Sequence, residues 1–185
     1  RKIFGTESFT GYFGEQKNLV AGARYRPLSI ASFAIEKQFF GLNPHVSHFI
    51  NIVLYALCGF LIFVVIRKFR IGTMNVAFWN IPIICAVLFI AHPIHTEAVA
   101  NIKGRDEIMA LLFSLLALYF SFKDNEAPGL KWKVFAAISF LFGLLSKENT
   151  IAFLGVIPLS LYFFRNKNLS SAIFGLAGQL AVIFL

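Results

Sequence analysis

Phe49–Ile66, FINIVLYALCGFLIFVVI, runs for eighteen residues without a charge. That length of apolar chain is what a membrane-spanning helix requires. Five further apolar stretches lie around it. Val76–Ala91 is interrupted only by Asn80 and Pro82, and Ile108–Phe122 and Val134–Leu145 follow. Ile151–Phe164 carries Pro158, and Ala172–Leu185 runs to the end of the chain. Some are shorter than the roughly 20 residues of a full span and must borrow from their flanks. The pattern predicts an all-α, polytopic transmembrane helix bundle of about six spans. The fourth and fifth stretches can also be read as one hairpin closing at Ser146–Thr150.

Composition points the same way. Of the 185 residues 58% are apolar, 23 are Phe and only 14% are charged, and the mean hydropathy is +0.73. A soluble domain of this size leaves too much of its surface in water to hide that much apolar side chain. The formal net charge of +8 comes from short clusters between apolar runs, which is how membrane loops carry charge and not how a nucleic-acid face does. Cys58 and Cys85 each lie inside an apolar run and read as small hydrophobes.

The cations set an orientation. Arg67, Lys68, Arg70, Lys123, Lys131, Lys133, Arg165 and Lys167 fall in alternate loops, eight against the three of Lys103, Arg105 and Lys147 in the loops between. The positive-inside rule makes the first set cytoplasmic and the second extracytoplasmic. Residues 1–48 then form an extracytoplasmic segment preceding the bundle of residues 49–185. Within it, Leu28, Ala31, Ala34, Ile35 and Phe39 recur at helical spacing, with Glu36, Lys37 and Gln38 on the polar side. This predicts a helix lying at the interface. Arg1 opens the sequence without Met and Leu185 closes it inside an apolar run, so it reads as an internal piece of a longer protein.

The chemistry-bearing residues gather on the extracytoplasmic side. One loop carries His92-Pro93-Ile94-His95-Thr96-Glu97, then Lys103-Gly104-Arg105-Asp106-Glu107, and the next carries Ser146-Lys147-Glu148-Asn149. Topology adds Arg24-Tyr25-Arg26-Pro27 and His45/His48. Ionisable groups at helix ends are costly unless paired or used. Arg and Lys here suit an anionic ligand, with a carboxylate or His as proton acceptor. The plain alternative is local pairing of Asp106 or Glu107 with Arg105, and of Glu148 with Lys147. The four histidines and Glu97 raise the question of a metal, but no HExxH or Cys pattern accompanies them, and none is expected. A proline-broken transporter helix is a further alternative, but no ionisable residue lies mid-span.

Several of these strings resemble the transmembrane and TPR repeat-containing O-mannosyltransferase family of the C-type glycosyltransferase superfamily. They are Tyr25-Arg26-Pro27-Leu28-Ser29, Gly41-Leu42-Asn43-Pro44 with His48 and Asn51, His92-Pro93-Ile94-His95-Thr96-Glu97-Ala98-Val99, Gly104-Arg105-Asp106, and Leu145-Ser146-Lys147-Glu148. They run in order from about Phe13 to about Phe164, most of the chain. The resemblance implies a membrane enzyme, without cofactor, that transfers a hexose such as mannose from a polyprenyl-phosphate donor to protein Ser/Thr hydroxyls. Its partners are then a lipid-linked donor, a protein acceptor and membrane lipid, not nucleic acid. Donor phosphate contact falls to Arg105, Lys147 and Arg26, with Glu97, Asp106, Glu148, His92 and His95 supporting. The family's acidic base is expected upstream of Arg1, leaving this piece inactive alone, and a TPR array beyond Leu185. A multi-pass location in a bacterial plasma membrane is expected, or in the endoplasmic reticulum of a eukaryote. Other readings are a transporter or flippase of a lipid-linked substrate and a structural membrane subunit.

Overall fold

A computed structural model describes residues 26–69, 77–165 and 168–181, and among these the only regular structure is helical. Arg24, Tyr25, Arg70 and Lys167 lie outside the described residues, as do the loop near 70–76 and the last part of the sixth apolar stretch.

Helix α1, Pro27–Phe40, begins on a proline, whose fixed φ suits the first turn, and ends at Gly41 with φ 69°. Asn43 starts α2, Pro44–Lys68, by accepting a hydrogen bond from His45 N at 3.0 Å. With 25 residues α2 is about 37 Å long, and Arg67 and Lys68 occupy its last turn, where cations oppose the helix dipole. Helix α3, Ala77–Ala91, contains Pro82. The chain then bends by 49° into Pro93–Ala100, which comprises a 3-10 turn, Pro93–His95, and α4, Thr96–Ala100. A second 3-10 turn, Ile102–Gly104, leads into α5, Arg105–Glu126. Helix α6, Leu130–Ser146, a 3-10 stretch, Glu148–Ala152, then α7, Phe153–Arg165, and α8, Leu169–Ala181, complete the order.

All six apolar stretches are therefore helical where they are described. Length divides them. Among the described residues α2 alone is long and apolar enough to cross a membrane, and the bent pair Ile81–Ala91 with Pro93–Ala100 makes a second if taken together. Helices α6, α7 and α8 have 17, 13 and 13 residues, short of the roughly 20 a full crossing takes. The fourth and fifth stretches form separate helices. Helix α6 packs chiefly on α5, while α7 packs on α8.

Helix α5 is central, touching α2, α6 and α7. One apolar core joins Val65, Phe122, Phe140, Ile157, Leu161 and Leu176, and a second joins Cys58, Ile108, Leu112 and Leu115. The outer surfaces are apolar as well: Phe60, Leu88, Phe163 and Phe174 are 60% or more exposed. The expected polar side of α1 is turned inward at one residue. Glu36 is buried while Ile35 and Phe39 face outward, and the reason is a cation delivered by α5.

Candidate functional site

That cation is Arg105, the first residue of α5, with no exposed surface. Its Nη2 lies 2.6 Å from Glu36 Oε2 and donates to Ser47 O at 3.2 Å. Its Nε donates to Asn51 Oδ1 at 3.0 Å and its Nη1 reaches Ser32 Oγ at 3.5 Å. The guanidinium carbon sits 3.9 Å from the centroid of the Phe33 ring, a cation–π contact. Ser47 Oγ in turn donates to Glu36. Asn51, fully buried, turns its amide the other way and donates to Asn101 O at 3.3 Å. One guanidinium thus ties α1, α2 and α5 together beneath the loop that precedes it.

Gly104 fixes that loop. A Cβ there would stand 2.2 Å from the Ala98 carbonyl oxygen, so only glycine allows the backbone of residue 104 to pass so close to α4.

Above the latch lies an open cleft of about 680 Å³, whose walls include Arg26, His95, Glu97, Lys103, Asp106, Glu107, Lys147 and Glu148. Arg26 donates to Asp106 and, at 3.2 Å, to Glu148 Oε1, while Lys147 donates to Glu107. Each of these pairs links residues 40 or more apart in sequence. The local pairings that the sequence allowed, within 105–107 and 147–148, are replaced by pairings between elements. Burial alone would lower the pKa of the Arg26 guanidinium, but the neighbouring Asp106 and Glu148 carboxylates raise it above its ordinary value. Glu148 is held below the ordinary glutamate range, first by a hydrogen bond from its own backbone N–H, against burial, and then by Arg26.

The sequence-predicted residues therefore separate into three groups. Arg26, His95, Glu97, Asp106, Lys147 and Glu148 meet in the cleft. Arg105 lies behind it, with its guanidinium turned to its own chain. His92 is exposed beside the cleft, its ring centroid 5.9 Å from that of His95, with Nδ1 accepting from Ile94 N at 3.2 Å. His95 packs 4.4 Å from the Phe89 ring and 5.8 Å from Tyr55, between centroids. Among the described residues no three of His, Cys, Asp and Glu are grouped so as to hold a metal ion. Four carboxylates and three cations line the cleft, so it is mixed in sign and not simply basic. Glu36, Ser47 and Glu107 were not singled out as site residues by the sequence. Asn51, given no role by the sequence, was legible as part of the resemblance string with His48 and as an amide in an otherwise largely apolar run of eighteen residues.

Comparison with known proteins identifies relatives for most of this region. The chain is 34% identical over 121 residues to Protein O-mannosyl-transferase TMTC1 of Mus musculus, matching 65% of this chain and 12% of that protein. It is 32% identical over 155 residues to Protein O-mannosyl-transferase TMTC1 of Homo sapiens, matching 77% and 17%. With Protein O-mannosyl-transferase TMTC2 of Mus musculus the identity is 34% over 137 residues, 71% and 16%. No family model and no solved structure matches. All three relatives carry the name of one class, the protein O-mannosyl-transferases. Among proteins so named, the chain belongs to the TMTC family. The chain spans less than a fifth of the length of these relatives.

Proposed function

We propose that this chain is part of a multi-pass membrane glycosyltransferase that moves mannose from a polyprenyl-phosphate donor to protein Ser/Thr hydroxyls on the extracytoplasmic face. The observation that carries this is the meeting of Arg26 and Lys147 in one open cleft at one end of the bundle, in a chain related to proteins named O-mannosyl-transferases. The apolar outer surfaces of α2, α3, α7 and α8 suit a bundle whose helices, about six with borrowed flanks, lie in lipid.

In this reading the leaving phosphate enters the cleft and displaces Glu107 from Lys147. Glu107 is 55% exposed in its side chain and Lys147 only 13%, so the carboxylate is free to swing away while the ammonium stays placed. Arg26, oriented by Asp106 and Glu148, supplies the second cation for charge that grows on the phosphate as the glycosidic bond breaks. The hydroxyl proton passes to a carboxylate of the full-length enzyme as the hydroxyl oxygen attacks the anomeric carbon. Arg105 acts as a positioning residue, because its latch holds the backbone that presents Asp106 and Glu107.

The test is transfer of mannose from polyprenyl-phosphate mannose to a Ser/Thr acceptor by the full-length protein. Lys147→Ala is expected to lower kcat by about 100-fold, the cost of one lost transition-state donor. Unchanged turnover in both Lys147→Ala and Arg26→Ala removes the cleft from the reaction. Absence of transfer with any lipid-linked sugar removes the enzyme reading itself.

A further inference from the structure

At the end of the bundle opposite the cleft, the last turns of α2, α5 and α7 converge on one carboxylate. Lys68 Nζ donates to Glu126 at 3.0 and 2.8 Å, Arg165 Nη2 donates to its Oε1 at 2.6 Å, and Lys123 Nζ lies 4.0 Å from its Oε2. A basin of about 390 Å³ opens there, walled by Val64, Arg67, Lys68, Glu126 and Arg165. Three cations line it against one carboxylate, and Lys123 adds a fourth beside it. Three helix C-termini oppose this with about half a charge each, which leaves the basin positive.

Arg165 is the most constrained of these cations. Its side chain is 7% exposed, its guanidinium lies 5.3 Å over the Phe122 ring, and its buried Nε has no acceptor. A buried N–H left without a partner is costly, and a guanidinium already gripped on one edge by Glu126 still has donors to offer. Phosphate oxygens match those donors in geometry and charge. The outer surfaces of the helices beside the basin are apolar, with Phe60 60% and Phe163 68% exposed.

We infer that this basin binds the phosphate of an anionic membrane-lipid headgroup, at a site separate from the cleft. The headgroup phosphate meets Arg165, Lys68 and Arg67, and its acyl chains lie along the apolar sides of α2 and α7. Basic pockets between membrane helices recognise lipid headgroups by this chemistry. The inference rests on the bundle lying in lipid but not on the transfer reaction, so unchanged turnover in Lys147→Ala, or no transfer with any lipid-linked sugar, leaves it standing.

The experiment is native mass spectrometry of the full-length protein in neutral detergent, titrated with dioctanoyl phosphatidylglycerol, dioctanoyl phosphatidylcholine or inorganic phosphate. Phosphatidylglycerol is expected to bind at least about tenfold more tightly than the zwitterionic lipid. Arg165→Gln should weaken it by about tenfold, one charge-assisted contact. Glu126→Gln should tighten it several-fold by removing the one negative charge, which separates a binding role from a merely structural one. Where Arg165→Gln does not fold, Arg67→Gln serves in its place. Equal binding by wild type, Arg165→Gln and Glu126→Gln overturns the site. Binding of inorganic phosphate as tight as that of the anionic lipid overturns the headgroup as source and assigns the basin to free phosphate.

Discussion

Glu36→Gln tests the latch most directly. The substitution keeps the shape of the side chain and removes its charge, leaving Arg105 ionised with no carboxylate at hydrogen-bonding distance. The paired side chains are 1% and 6% exposed, so water cannot make good the loss. Breaking a buried pair from one side costs about 3 kcal/mol, and for a chain of this size that lowers the unfolding midpoint by about 6–12 °C. Cys58 offers a built-in reporter, since it is fully buried in the second core. In a Cys85→Ser background, a thiol-reactive dye reads the temperature at which that core opens. The double variant Glu36→Gln/Arg105→Met completes a cycle, because the second change removes the stranded charge. If the latch acts as described, the double variant loses less than the sum of the single variants by about 2–3 kcal/mol. A Glu36→Gln midpoint within about 2 °C of wild type, or strict additivity in the cycle, would refute it.

Other expectations can be checked alongside it. Gly104→Ala should lower the same midpoint by about 1–3 kcal/mol in stability terms, since the new methyl meets the Ala98 carbonyl, a backbone atom that cannot rotate aside. Arg26→Ala in the full-length enzyme should cut mannose transfer by about 100-fold, with Arg26→Lys recovering only part of it because a single ammonium cannot fork between Asp106 and Glu148; a radiolabelled-donor assay decides. The folded-state pKa of Glu148 is depressed, so its contribution to stability is complete above the ordinary glutamate value and lost as pH falls through the lower folded value. Melting midpoints taken from neutral to acid pH should show Glu148→Gln losing part of that acid-side fall while staying flat near neutrality. Cysteines introduced at Asn149 and at Ala127 should label from opposite sides of a sealed membrane, Asn149 from the extracytoplasmic one, and labelling of both from one side would refute the placement of the two ends across the membrane.

The helices were legible because apolar runs and their terminators are local. The apolar run Phe49–Ile66 lies wholly within α2 and the helical spacing from Leu28 to Phe39 within α1, although α2 begins earlier, at Pro44, inside the segment read as preceding the bundle. The gathering of Arg26, Asp106, Lys147 and Glu148 was also legible, since alternation of spans brings the same loops to the same end. Pairing was not. Neighbouring opposite charges such as Lys147 and Glu148 invite a local reading, yet Lys147 takes Glu107 and Glu148 takes Arg26. Spacing within one segment carries no information about which side chain another helix will present. The inward turn of Glu36 escaped for the same reason: Glu36-Lys37-Gln38 reads as a solvated face until a buried guanidinium is known to sit beneath it.

The latch around Arg105 also dictates an order of events during synthesis. Ser32, Glu36, Ser47 and Asn51 leave the ribosome first, and the cation that completes them arrives 54 to 73 residues later. Until then Glu36 has no counter-charge, and a bare carboxylate does not enter an apolar interior. Helix α1 must therefore wait in water or at the headgroups while α2 and the α3–α4 segment are made, and it docks only when the first turn of α5 emerges. The first described helix of the chain thus docks only after the three helices that follow it have been made.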